Sequence, residues 1–139
     1  MKKLTEEWLL YANNDLCAAE TLIKEDYPLT NIVVFHCQQA IEKYLKAFLV
    51  ENDIPIIKTH DLVKLNDVIK EIKDLGIEEE RLIVVNEVYS ESRYPGDLGL
   101  LPGGMPTNKQ AEEFIAYAKE VKRIITNEVK KDSDFARKL

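Results

Sequence analysis

Glycine and proline are scarce in this chain, five of each in 139 residues, and seven of those ten fall between Pro95 and Pro106. From Lys2 to Asn52 there is no glycine and one proline, Pro28. Helix breakers are thus missing over two long stretches and crowded into one loop. Cysteine is limited to Cys17 and Cys37, with no CxxC pair. That excludes a disulfide scaffold and points to two buried or half-buried thiols in a reducing cytosol. Histidine is limited to His36 and His60, so composition signals no metal site and no cofactor. No run approaches the roughly 18 apolar residues of a membrane span. The opening Met1-Lys2-Lys3-Leu4-Thr5-Glu6-Glu7 leads into acidic sequence, so no secretory signal is expected and the chain reads as cytoplasmic. Positive charge is in the minority, 19 Lys and Arg against 25 Asp and Glu, a net charge of −6. This argues against a whole-surface polyanion binder but leaves room for a local basic patch. An apolar fraction of 45% excludes global disorder.

What is present is helical periodicity. Trp8, Ala12, Leu16, Ala19, Leu22 and Ile23 form one stripe over a first helix from Thr5, its expected N-cap, to Glu25. A second helix is expected from Leu29 to Val50. Val33, Val34, Ile41, Tyr44, Leu45, Phe48 and Leu49 cover one side of it. At about 100° per residue, Gln38, Gln39, Glu42, Lys43 and Lys46 share an arc of about 140° on the other side, a dense polar face. Thr59-His60-Asp61 opens a third helix, Asp61 to Asp74, with Gly76 where a left-handed cap belongs. Glu78-Glu79-Glu80 starts a fourth, carried by Leu82, Val85 and Tyr89. After the loop, Thr107 and Gln110 form a capping box for the last, whose stripe is Phe114, Ile115, Ala118, Val121, Ile125 and Val129. No strand alternation competes. The expected fold is all-α, an up-and-down bundle of four to five helices, with one domain over residues 1–131 and a frayed tail over 132–139. From Lys119 to Leu139 the chain is net +3, so the preceding part is net −9.

Phe35-His36-Cys37-Gln38-Gln39-Ala40-Ile41-Glu42-Lys43-Tyr44-Leu45-Lys46-Ala47, then Thr59-His60-Asp61-Leu62, then Ser92-Arg93-Tyr94-Pro95 occur in that order. With Trp8, Ala12, Asp15 and Leu16 ahead of them and Ala111 to Val121 behind, they resemble the HEPN domain family (higher eukaryotes and prokaryotes nucleotide-binding). The resemblance spans nearly the whole chain. It implies a helical bundle, commonly a homodimer, often encoded beside a minimal nucleotidyltransferase partner. Many members are ribonuclease toxins of toxin–antitoxin pairs or RNA-processing enzymes. Their catalytic signature is Arg followed, after four to six residues, by His: Arg neutralises phosphate and His moves a proton.

That signature is missing here. After Arg93 the corresponding places hold Leu98, Gly99 and Leu100; after Arg81, Asn86, Glu87 and Val88; after Arg123, Glu128, Val129 and Lys130. The chain is similar to the branch whose segment reads Arg-Tyr-Pro. The resemblance then implies nucleotide or RNA binding together with a partner, without ribonuclease activity of its own. The ligand contacts expected are Arg93, Tyr94, Lys43, Lys46, Gln39 and Glu42. One alternative is a metal-independent ribonuclease using Arg93 with His60 as proton carrier. Another is a purely structural dimerisation module with the polar face of the second helix as its seam. Each residue also has a plainer reading. Arg93 pairs with a carboxylate and Tyr94 plugs the bundle end. Glu42 and Lys46 form an i,i+4 pair. His60 caps the third helix or bonds within the bundle, His36 is a packed imidazole, and the basic C-terminal stretch is a solvated helix end.

Overall fold

The computed structural model describes residues 1–93 and 105–138, with side chains described up to residue 130. Five helices follow one another: α1 Lys3–Leu22, α2 Thr30–Glu51, α3 Leu62–Lys70, α4 Glu79–Ser92 and α5 Asn108–Lys138. There is no strand among the described residues. The architecture is the all-α bundle that periodicity predicts. No helix among the described residues is long and apolar enough to cross a membrane.

The bundle is organised around α2, which packs against all four other helices. Fifteen of its 22 residues are buried, against four of 20 in α1. Ile41, Tyr44, Leu45 and Leu49 are fully buried and meet Leu16 of α1, Leu65 and Ile69 of α3, Leu82 of α4 and Ile125 of α5 in one core. A helix buried nearly all round must bury its polar residues as well. Gln38, Glu42 and Lys46, expected on a dense polar face, are 0%, 4% and 7% exposed. Gln39 and Lys43 alone of that set stay half-exposed. The polar arc therefore splits into a buried half and a surface half: His60, ahead of α3, lies against Gln38 and Glu42, and Trp8 of α1 lies against Lys46.

The helix ends also depart from local expectation. Thr5 does not cap α1, which begins two residues earlier. Thr5 is fully buried and its hydroxyl donates to Glu51 Oε1 at 2.9 Å. The Lys2 N–H donates to the same oxygen at 3.0 Å, so the end of α2 supplies the acceptor that a local cap would have supplied. Asp61 caps α3, accepting from Val63 N–H at 3.0 Å and Lys64 N–H at 3.4 Å. Gly76 does take a left-handed conformation, φ +75°, but it does not cap α3. That helix ends earlier, at Lys70, and Gly76 N–H instead closes a turn on Asp74 Oδ1 at 2.9 Å. The capping box of α5 forms as expected, Thr107 N–H donating to Gln110 Oε1 at 2.8 Å and Gln110 N–H to Thr107 Oγ1 at 3.1 Å.

The two thiols differ. Cys17 is exposed on α1 and Cys37 is fully buried on α2. Burial, with a smaller push from the Glu20 carboxylate, raises the Cys37 thiol to about 12. Since the thiolate is the reacting form, a disulfide reagent at pH 8 will titrate one thiol per folded chain and two after denaturation. Two fast-reacting thiols in the native protein would contradict the buried position of Cys37.

Candidate functional site

The buried half of the α2 arc carries a connected set of polar groups. Glu42 Oε2 accepts from the Lys46 ammonium at 3.0 Å, one helical turn along, as the plain pairing predicts. Glu42 Oε1 accepts from Gln38 Nε2 at 3.3 Å and lies 2.8 Å from His60 Nδ1. Gln38 also donates to the His60 carbonyl at 3.0 Å. His60 is therefore fixed to α2 by both its backbone and its ring. The Glu42 and Lys46 side chains are 5% and 9% exposed, whereas that of His60 is 70% exposed. Lys46 lies 5.8 Å from the centroid of the Trp8 ring, which shields the ammonium on the α1 side. A charge pair this deep is tolerated because Glu42 has three polar partners and the Lys46 ammonium has the carboxylate and the Trp8 ring against it.

His60 bonds within the bundle and leaves the capping of α3 to Asp61. It lines a cleft of about 260 Å³ together with Asp61, Asn86, Tyr89 and Ser90. Asn86 ties α4 to the start of α3, donating to Asp61 Oδ1 at 2.9 Å and accepting from Leu62 N–H at 3.1 Å. Arg93, at the end of α4, lays its guanidinium 5.2 Å from the Tyr89 ring centroid and donates to the Tyr89 hydroxyl at 3.1 Å. His60 and Arg93 are thus linked through Tyr89, which lines the cleft beside the first and carries the second. Tyr94, the residue next to Arg93, lies outside the described residues.

Aromatic contact continues outward from this cleft. Phe35 stacks on Tyr89 with centroids 5.9 Å apart, and His36 meets Phe35 edge-on at 5.3 Å. His36 Nδ1 is 2.9 Å from Asp15 Oδ1, and the other Asp15 oxygen pairs with Lys43. Both histidines therefore turn Nδ1 toward a mostly buried carboxylate that also holds a lysine of α2. Lys43 and Lys46 are both engaged by carboxylates, and Gln39 donates to Gln38 Oε1 at 2.8 Å. Among the described residues, no three His, Cys, Asp or Glu side chains gather into a metal-holding group.

Of the residues singled out in the sequence, His60, Glu42 and Lys46 form one network, and Arg93 joins its outer edge through Tyr89. Lys43 belongs to the Asp15 and His36 cluster instead. Sequence reading missed Asn86 and Tyr89 as parts of the site. Asn86, Tyr89 and Arg93 recur at i, i+3 and i+7 on α4, and that spacing is the signal that places them on one face.

Comparison with known proteins agrees with this architecture. The chain is 22% identical to TT1696 from Thermus thermophilus, with a TM-score of 0.74 over 91% of this chain and 98% of that one. It is 23% identical to ST0689, an archaeal HEPN homologue, with a TM-score of 0.67 over 93% of this chain and 99% of that one. These similarities establish the fold. No curated protein sequence matches. The HEPN domain family model matches residues 5–129, from the buried Thr5 of α1 to the buried Val129 of α5, so the chain belongs to the HEPN domain family.

Proposed function

We propose that this protein binds the phosphate of a nucleotide or RNA in the cleft lined by His60 and Tyr89, with Arg93 at its edge. In this reading it works as a homodimer with a partner such as a minimal nucleotidyltransferase and does not itself cleave RNA. The observation that carries the reading is Arg93 laid on Tyr89 beside the exposed imidazole of His60. A planar guanidinium suits paired phosphate oxygens, and the aromatic surface beside it suits a base. Lys43 and Lys46 enter indirectly, by holding the carboxylates that orient His36 and His60. The missing Arg-to-His spacing is the reason for leaving RNA cleavage out.

The test is titration of 5′-AMP and a short single-stranded RNA into wild type and Arg93→Ala. Loss of a charge-assisted contact will weaken binding about ten- to a hundredfold, with helical content unchanged. Equal affinity of the two proteins would remove Arg93 from the site. The same incubations should leave the RNA intact. RNA cleavage by wild type that disappears in His60→Ala would instead support the metal-independent ribonuclease reading, which the bond between Glu42 and His60 favours.

A further inference from the structure

We infer that His60 meets a phosphate in this cleft as an imidazolium, so that binding takes up one proton, and that Glu42 is the positioning residue that decides which ring nitrogen faces the ligand. The inference rests on the phosphate reading above and adds the proton to it.

A carboxylate only accepts hydrogen bonds, so the 2.8 Å contact with Glu42 Oε1 assigns the hydrogen to His60 Nδ1. Glu42 also accepts from the Lys46 ammonium at 3.0 Å and the Gln38 amide at 3.3 Å. In the neutral ring, Nε2 is then a lone pair, which repels a phosphate oxygen. Protonation turns the same atom into a donor and adds a charge. Asp61, Asn86, Tyr89 and Ser90 line the cleft beside His60, Glu42 and Lys46 pair behind the ring, and Arg93 lies over Tyr89. A proton on His60 adds one positive charge at the exposed edge of the ring. Histidine is the side chain whose ordinary titration range makes such a step available near neutrality. At 70% side-chain exposure, the ring is open to a ligand while its Nδ1 edge stays anchored.

The probe is the dinucleoside monophosphate ApA, whose diester does not titrate in the range used. Calorimetric titrations from pH 5.5 to 8.5, in buffers of different ionisation enthalpy, will show uptake of about one proton and affinity falling about tenfold per pH unit above the midpoint. His60→Gln will bind without proton uptake and with a flat profile. Imidazole ¹⁵N shifts will show neutral His60 carrying its hydrogen on Nδ1. The double variant Glu42→Leu/Lys46→Met, which removes the buried pair as a neutral unit, will lose that preference. Wild-type binding without proton uptake, an unchanged profile in His60→Gln, or a neutral ring protonated on Nε2 would each overturn this inference while leaving the phosphate site standing. No binding of ApA or 5′-AMP at any pH would overturn both.

Discussion

Glu42→Ala will lower the unfolding free energy by about 3–5 kcal/mol, because it leaves a buried cation without its partner. The Lys46 side chain is 9% exposed, so its ammonium has no easy route to water. Gln38 and His60 lose an acceptor in the same substitution. Out of a total stability of roughly 5–15 kcal/mol for a single domain, this is a large share. The midpoint of urea denaturation measures it. Glu42→Leu/Lys46→Met will recover most of the loss, since replacing a buried pair with apolar groups of similar volume is often neutral or better. A single Glu42→Ala variant as stable as wild type would mean that the network reaches solvent and that Glu42 does not anchor His60. That result would also weaken the proton inference, which depends on the same carboxylate.

Tyr44→Ala will cost about 3–5 kcal/mol, the usual loss on deleting a buried aromatic ring. Tyr44 is fully buried in the middle of α2, and its hydroxyl donates to Asn13 Oδ1 of α1. Burial, with smaller pushes from Glu20 and Asp15, holds the phenol well above its ordinary value, so it stays a neutral donor throughout the useful pH range. Tyr44→Phe isolates the hydroxyl and will cost only about 1 kcal/mol, because Asn13 is exposed and can turn to water. Denaturation of the two variants separates packing from hydrogen bonding. Similar losses in both would mean that the link to α1, and not the ring volume, is what Tyr44 contributes.

Five helices were legible because each carries an apolar stripe with breakers at its ends. The capping box at Thr107 and Gln110 was legible because both partners lie within one turn. Thr5 looked like a cap on the same local grounds, and that reading failed because its partner, Glu51, is 46 residues away. The polar arc of α2 was legible as an arc but not as an interior. Nothing within residues 38–46 reveals that other parts of the chain close over Gln38, Glu42 and Lys46 and leave Gln39 and Lys43 outside. The motif residues His60 and Arg93 stood out by resemblance, whereas Asn86 and Tyr89 look like ordinary members of a helical pattern until α4 is placed beside the start of α3.

By itself, then, the sequence determined the all-α class, a bundle of four to five helices, and the family, since these rest on periodicity and on motif order along the chain. Tertiary structure alone decided which polar residues are buried, which carboxylate meets which histidine, and that His60 and Arg93 flank the same tyrosine. The physical reason is that a hydrogen bond or a burial depends on distance in space, and the hydrogen bonds that join α2, the start of α3 and α4 around this cleft link residues 18 to 25 positions apart in the chain.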